Sequence, residues 1–570
     1  MLFIRSFSEI YISYIAIFLL LSLLGKSFLK IYFFTFYKKV ELPNYIFSTP
    51  LTIFYPMFGY FFLGNLLVIL NFFTPVVSII SFTIIALVAL NGIDYRKPIL
   101  KFNNIFTIRL ALLHFIIPSI LLFSTYDISL HYDAGYYHLN HQNWLRSSNT
   151  VIGLVNLFWP FGISALSEYV SAFFWRESTL INIHYLSLIF ISSFFQFIYF
   201  QITEKKDSFF KFSSVFILIF SIFDNFGFEG GRNGFIYIQE IGKQDSIVSV
   251  LVILISIFIA NDFKNKNYHM FEKGLIILLI LLAFQLKIGS AYLFIFLFFY
   301  LLNQLNTKLL TFKNVLYISL PSSLFLMIWL LKNYLTSGCF VFPVNFTCIN
   351  NFNWYRKGST EWIEEYTSST SFGMEEYFGM QNNFFTLWFN EFFVNNDPFS
   401  TFYKSYYLNF LVSLIAIYVL KKLFTITSII QKEIILNISL YLFLSVLFLM
   451  TFGPIPRYTA GILTFAIAIV SLNVISFKVN LNPKFIYLIF FISLLLLPRM
   501  NSYLSSVQNQ NIALPDPRFE INDYSLSLND NWVSPKSTDL CWINLNCTSE
   551  VGGEIITVDG FFKTIYRNLD

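Results

Sequence analysis

The stretch IYISYIAIFLLLSLLGKSFLK, residues 10–30, is almost entirely apolar until it ends in lysines. A helix of about 20 apolar residues is long enough to cross the hydrocarbon core of a bilayer. The rest of the chain has the same character, because 56% of its 570 residues are hydrophobic and only 12% are charged. These features predict an all-α polytopic membrane protein, with membrane lipids and not nucleic acid as its surroundings.

Apolar runs of this kind recur along the chain and predict about 14 transmembrane helices. After 10–29, the runs lie near 51–72, 75–93, 105–124, 180–200, 209–224, 245–261, 274–287, 289–303, 314–335, 406–420, 433–452, 458–477 and 485–499. Basic clusters fall at every second connection, as in 26–39 and 96–101. Because cytoplasmic loops carry the excess of Lys and Arg, these connections are predicted to be cytoplasmic and both termini extracytoplasmic.

Two stretches depart from this simple pattern. Residues 151–175 are long enough to span, but a crossing there would move the later basic connections to the outer face. This segment is therefore predicted to be interfacial or re-entrant, with broken helices along a protein-lined cavity. The residues that favour such breaks or a cavity are Asn156, Pro160, Gly162 and Glu168. Residues 274–303 are predicted to form two short helices that meet at LKIGS, 286–290.

The predicted topology leaves the larger polar segments on the outer face. Residues 1–499 are predicted to form the transmembrane domain, with outer loops at 125–179, 225–244 and 336–405. Residues 500–570 are predicted to form an extracytoplasmic C-terminal cap. None of these segments reaches the usual size of a large domain, so small caps folded against the membrane portion are expected.

All four cysteines fall in these outer segments. Cys339 and Cys348 lie in SGCFVFPVNFTC, and Cys541 and Cys547 lie in LCWINLNC. An even number of cysteines on the oxidising side of a membrane predicts two local disulfides. The alternative is four ordinary thiols, and the spacing does not resemble that of a zinc site.

The outer segment HYDAGYYHLNHQNWLRSSN, residues 131–149, is the richest in groups that can carry chemistry. Asp133, Tyr137 and His141 are spaced so that they would share one face of a helix. Asp133 is the candidate catalytic base, and His138 and His141 are predicted to orient the base or an acceptor. Tyr132 and Tyr137 are candidate substrate contacts. The alternative is that Asp133 caps a short interfacial helix that the aromatic and histidine side chains anchor.

Three cations are predicted to lie at membrane depth on the same outer side. They are Lys287 in an apolar turn, Lys332 near the end of an apolar run, and Arg457 between two runs. Because charges at this depth are costly, they predict a phosphate-bearing ligand or internal partners, while snorkelling to the interface is the alternative for each one. Asn333 and Asp245 are secondary candidates for substrate binding, although Asp245 also suits a helix cap.

Short motifs carry a resemblance to a known family. They are Tyr132-Asp133 with Tyr137-His138; Trp329, Lys332 and Asn333 continuing to Gly338 and Pro343; Pro454, Pro456, Arg457 and Tyr458; and Cys541-Trp542 to Cys547-Thr548. From about residue 125 onward the chain resembles an uncharacterised bacterial family of polytopic membrane proteins, which in turn resembles the C-type fold (GT-C) glycosyltransferases. That resemblance implies a polyprenyl-phosphate-linked sugar donor, a glycan or lipid acceptor at the outer face, and Asp133 as the catalytic base.

Two features depart from the resembled pattern. Four predicted helices precede the acidic loop, which in the C-type fold usually follows the first helix. The early outer loops also contain no Asp-x-Asp pair. The sequence therefore predicts chemistry without a metal or other cofactor, in which basic side chains neutralise the departing phosphate.

These observations together predict a glycosyltransferase of the bacterial inner membrane that acts in cell-surface glycan or glycolipid synthesis. Two alternatives stay open at this level. A surface polysaccharide polymerase or ligase would differ mainly in using a lipid-linked glycan as donor. A lipid-linked sugar flippase or other transporter would be expected to carry charges near the midplane and related halves.

Overall fold

The computed structural model describes residues 2–37, 42–47, 49–93, 105–175, 180–204, 217, 241–265, 268–349, 351–355, 360, 363, 394, 408, 410–412, 414–415, 419, 432–452, 456–472, 504–507, 524–526, 532–536, 538–550 and 554–568. The predicted runs 485–499, almost all of 209–224 and most of 406–420 lie outside these residues. For some residues at helix ends, Arg457 among them, only the backbone is described.

Each of the remaining predicted apolar runs is occupied by a helix. They are α1 (Leu2–Tyr37), α2 (Tyr55–Asn71), α3 (Ile79–Asn91), α4 (Ile105–Leu121), α5 (Leu139–Ser147), α6 (Leu166–Phe174), α7 (Ile181–Glu204), α8 (Asp245–Asn265), α9 (Met270–Leu286), α10 (Tyr292–Asn306), α11 (Phe312–Ser337), α12 (Lys432–Phe452) and α13 (Pro456–Leu472). Helices α5 and α6 are the two that lie outside the predicted runs, within residues 125–179, which are predicted to form the first large outer loop.

Five stretches among the described residues are long and apolar enough to cross a membrane. They are Ser6–Thr35, Ile181–Ile202, Asp245–Phe263, Ile288–Asn306 and Phe312–Ser337. The protein is thus a mostly helical membrane protein. Shorter apolar helical stretches among the described residues are Tyr55–Asn71, Ile79–Asn91, Leu113–Asp127, Asn437–Phe448 and Thr459–Ile469.

Helix α8 lies at the centre of the bundle. Its apolar residues point in all directions, and every position of its most hydrophobic window is buried. A helix that is hydrophobic on all sides is stable only when other helices surround it. Helices α7, α9 and α13 pack around it.

A buried carboxylate and a buried ammonium are paired inside the described bundle. Asp262 of α8 is fully buried, and one of its oxygens lies 3.5 Å from the ammonium of Lys273 in α9. The same carboxylate accepts hydrogen bonds from Tyr300 at 2.7 Å and Gln304 at 3.1 Å, both in α10. Since an unpaired charge in this environment is costly, the network ties three helices together.

The two exceptional stretches are broken as the sequence predicts. Within 151–175 the chain forms two 3-10 turns, Leu154–Asn156 and Trp159–Gly162, before α6 begins. Between α9 and α10, Lys287 is extended, with φ −155° and ψ 118°, and a 3-10 turn follows at Ile288–Ala291.

Short antiparallel strand pairs occur next to the helices. They are β1 (Tyr45–Ile46) with β2 (Thr49–Pro50), β3 (Tyr524–Leu526) with β4 (Val533–Pro535), and β5 (Glu554–Val558) with β6 (Thr564–Asn568). The all-α prediction therefore holds for the membrane portion, whereas the described tail consists mainly of hairpins and loops. Turn-rich sequence with few apolar residues cannot form long buried helices there.

The tail lies against the segment 131–143. The backbone N–H of Trp542 donates to the carbonyl of Gly135 at 2.9 Å, and the amide of Asn140 donates to the carbonyl of Asn544 at 2.5 Å. Both predicted local disulfides are formed, Cys339–Cys348 and Cys541–Cys547. The predicted cap is thus packed on residues 131–143 rather than extended away from them.

Close packing of α1 on α2 generates a stability prediction. A Cβ atom on Gly59 would overlap the carbonyl of Leu21, and one on Gly25 would overlap the carbonyl of Tyr55. We expect Gly59→Val to destabilise the protein by about 1–3 kcal/mol or more, because backbone atoms cannot move aside as side chains can. The measurement is the thermal unfolding midpoint in detergent. Gly289→Ala is the matched control, since no atom lies within 4 Å of its Cβ position; equal midpoints for both variants would contradict the prediction.

Candidate functional site

The segment that contains Asp133 begins with an unusual turn. Residues Ala134–His138 form a π-helix, and α5 continues directly from it. A π-helical turn has an extra residue, and such turns often occur at functional sites. It rotates Asp133 relative to His141, which the sequence predicts to lie on the same helical face. As a result, Asp133 contacts Lys243, whereas His141 contacts Glu168 and Phe161.

Asp133 forms an ion pair with Lys243. The carboxylate lies 2.6 Å from the Lys243 ammonium and 3.5 Å from Nδ1 of His131. The backbone N–H of His131 donates to the carbonyl of Ile241, and the N–H of Ile241 donates to the carbonyl of Ser129, so the two chain segments lie side by side. Burial raises the pKa of Asp133, but the charges of Lys243 and His138 outweigh it, so the pKa lies below its ordinary value and the carboxylate is ionised at neutral pH.

Glu168 is the second carboxylate of the site and is almost completely buried. It is hydrogen-bonded to Nδ1 of His138 and accepts a 2.9 Å hydrogen bond from Gln142. Nδ1 of His141 lies 4.0 Å from its other oxygen. Burial raises the pKa of Glu168, but the charges of His138 and His141 and these hydrogen bonds lower it below its ordinary value.

A small open cleft lies beside the partners of these two carboxylates, and its empty space of about 410 Å³ includes open solvent. His138 and Lys243 both line it, so one residue from each carboxylate pair faces the same space. The rest of its polar lining consists of hydroxyl, amide and imidazole side chains. These are Tyr60, Gln142, Ser167, Ser171, His184, Ser187 and Gln244. Such a lining can satisfy the several hydroxyl groups of a polar ligand.

Lys287 and Asp245 lie at a neighbouring cleft. Their side chains form an ion pair, and both residues line a small open cleft with Ser249 and Tyr292. Asp245 is only two residues after Lys243, so the segment between them separates the two clefts. The predicted phosphate contact Lys287 is thus paired with a residue that is close in sequence to Lys243, but it lines a different cleft.

Lys332 and Asn333 make contacts in the interior of the protein. The Lys332 ammonium is fully buried, donates to the carbonyl of Ser164 at 3.0 Å and lies 5.6 Å from the centre of the Tyr169 ring. Asn333 donates to the carbonyl of Phe340 at 3.1 Å. These contacts fix α11 to the broken segment and to the following loop.

The remaining predicted residues are distributed as follows. The hydroxyl of Tyr132 donates to Asp539 in the tail, and the ring of Tyr137 lies 4.0 Å from that of His138. Arg457 belongs to the first turn of α13, and its side chain lies outside the described atoms.

Two residues of the site could not be assigned roles from the sequence. Glu168 is a lone acid in an apolar run, and Lys243 is one of several charges in a glycine-rich loop. Their partners are 30 and 110 residues away along the chain. The useful signal in the sequence is the free-energy cost of placing an acid in an apolar run. This cost indicates that Glu168 has a partner, but it does not identify the partner.

The described residues contain no group of three or more His, Cys, Asp and Glu side chains arranged to hold a metal ion.

A known protein family matches most of the chain. The family described as Domain of unknown function (DUF8201) matches residues 9–464. The chain belongs to this family. The matched range includes Asp133, Glu168 and Lys243, but it ends within α13, before the tail that packs on residues 131–143. No curated protein and no solved structure matches the chain.

The buried histidine gives a pH prediction for this DUF8201 protein. Burial lowers the pKa of His141 to about 4, with Glu168 opposing and Lys332 and His138 supporting the shift. The unfolded chain binds a proton near pH 6.5 and the folded one does not, so stability is complete above pH 6.5 and is lost as pH falls toward 4. We expect this one residue to cost about 2 kcal/mol between pH 7.5 and 5.

Thermal unfolding midpoints of wild type and His141→Gln across pH 5–7.5 measure this contribution. The variant should lose part of the pH dependence, since Gln does not titrate and Glu168, Lys332 and His138 remain in place. Parallel pH curves for the two proteins would count against it.

Proposed function

We propose that the protein is a membrane glycosyltransferase, which transfers a sugar from a polyprenyl-phosphate-linked donor to an acceptor hydroxyl at the outer face of the membrane. The observation that supports this best is the cleft that Lys243 and His138 both line. Lys243 is paired with Asp133, and His138 is hydrogen-bonded to Glu168. The proposal includes a GT-C-like bundle of about 14 helices with extracytoplasmic termini, as the apolar runs and basic clusters predict.

Lys243 is assigned to the departing phosphate. An ammonium is a compact point charge that suits a phosphate oxygen, and its effect is stronger at a mostly buried position such as that of Lys243 than in open water. Asp133 fixes this ammonium at 2.6 Å. The sequence-based prediction made Asp133 the base, but its ion pair and its lowered pKa make it a weaker proton acceptor. Positioning of Lys243 is therefore the role that we propose for Asp133.

His138 is assigned to the acceptor hydroxyl. When the Nδ1–H of His138 donates a hydrogen bond to Glu168, Nε2 is the ring nitrogen that can accept a proton. A carboxylate that orients an imidazole and stabilises its protonated form is a recurring arrangement in general-base catalysis. The acceptor O–H proton passes to Nε2 while the acceptor oxygen bonds to the anomeric carbon. The bond from that carbon to the phosphate oxygen breaks, and its electron pair leaves with the lipid phosphate.

The hydroxyl and amide groups of the cleft are assigned to the sugar. Ser167, Ser171 and Gln244 line it on the side of α6 and of the segment before α8. Lys287, Asp245, Lys332, Asn333 and Arg457 remain predicted contacts of the donor.

The test is release of polyprenyl phosphate from a labelled polyprenyl-phosphate sugar by the protein in liposomes. We expect His138→Gln and Glu168→Gln to lower the rate by about 100 to 10,000-fold, the usual contribution of a general base. Asp133→Asn should lower it as well, because the ammonium loses its fixed position. His269→Asn is the matched control: this histidine is exposed in the loop before α9, and Asn also caps a helix.

Three results would count against the proposal. Unchanged release by His138→Gln would remove the assigned base. Movement of intact donor across the bilayer without cleavage would favour a flippase. Cleavage of a lipid-linked glycan but not of a single-sugar donor would favour a polysaccharide polymerase or ligase.

A further inference from the structure

One face of α11 is apolar and exposed along its whole length. The exposed residues recur every three or four positions and are Phe312, Leu316, Leu320, Leu324, Met327 and Leu331. Only 22% of the most hydrophobic window of this helix is buried inside the protein. In a membrane protein such a stripe contacts the acyl chains, because no water-soluble fold leaves so large an apolar surface uncovered.

The stripe continues beyond the end of the helix. Tyr334, three residues after Leu331, stacks on Phe340 with 5.2 Å between ring centres. Phe352 meets the same tyrosine edge-on at 5.7 Å. Because i and i+3 share a helical face, the loop after α11 lies on the lipid-facing side of the helix.

This loop is closed by the Cys339–Cys348 disulfide. Phe346 stands in a 3-10 turn at its tip and is 90% exposed, and Phe340, Ile349 and Phe352 are each more than a third exposed. In water, neighbouring exposed aromatic side chains are unfavourable, whereas the boundary between headgroups and acyl chains favours them. The position of the loop at the end of a spanning helix matches that boundary.

We propose that the disulfide-closed loop Cys339–Cys348 is an interfacial anchor that inserts Phe346 and Phe340 into the lipid leaflet at the end of α11. Its other side faces the protein. Phe342 packs where a Cβ on Gly162 would lie, and Asn333 holds the carbonyl of Phe340. The anchor therefore fixes the height of the broken segment 151–175, which carries Glu168, relative to the membrane surface.

Site-specific photo-cross-linking tests the anchor and does not depend on the proposed catalysis. Benzoylphenylalanine replaces Phe346 in protein reconstituted into nanodiscs of phosphatidylethanolamine and phosphatidylglycerol. Illumination should give phospholipid adducts, detected by mass, in several-fold higher yield than the same probe at the exposed Lys536 in the tail. The probe at Leu324, in the middle of the stripe, is the positive control.

An adduct yield at position 346 no higher than at 536 overturns the proposal. A covalent dimer in place of lipid adducts overturns it too, because the loop would then contact a second copy. Since Phe346 is exposed, its replacement should not disturb folding, which elution volume and non-reducing electrophoresis check. Phe346→Trp gives a second measurement: brominated lipids should quench its fluorescence in excess of the wild-type signal, and no excess would contradict insertion.

Discussion

The structure depends on one constraint, that a charge in so apolar a chain must have a partner at close range. The described core satisfies it with pairs that join distant segments, such as Asp262 with Lys273 and Glu168 with His138. A buried pair contributes little net stability, but the loss of one partner is costly, so each pair fixes which helices are neighbours. The same constraint brings Lys243 to Asp133 and Lys287 to Asp245, on both sides of the short segment before α8.

That arrangement explains how a membrane bundle holds a polar cleft at its edge. The broken segment 151–175 stays non-helical where it must turn, and it delivers Glu168 to the histidines of the π-helical turn and α5. Helix α11 supports the same segment through the Lys332 ammonium, which donates to the carbonyl of Ser164. The carboxylates of the site are thereby positioned by backbone that is itself packed, which is the condition for a preorganised polar site.

The tail lies outside the range that the family match covers. Residues 9–464 carry both carboxylates, both histidines and Lys243, whereas the disulfide loop Cys541–Cys547 lies beyond the match. That loop nevertheless contacts the site segment, with Trp542 stacked where a Cβ on Gly135 would lie. The tail thus packs on residues 131–143, which carry Asp133 and both histidines, although it lies beyond the matched family range.

The sequence by itself determined the membrane class, the positions of the described helices other than α5 and α6, the two breaks and the pairing of cysteines within each local loop. These features are set by apolar run length, by helix-breaking residues and by short separations along the chain, all of which are local. Only the tertiary structure decided which charges meet. The sequence placed Asp133 and His141 on one face, but the π-helical turn separates their contacts, and Glu168 and Lys243 became site residues through partners far along the chain. A partner for a buried charge is chosen by helix packing, which the local pattern of residues does not record.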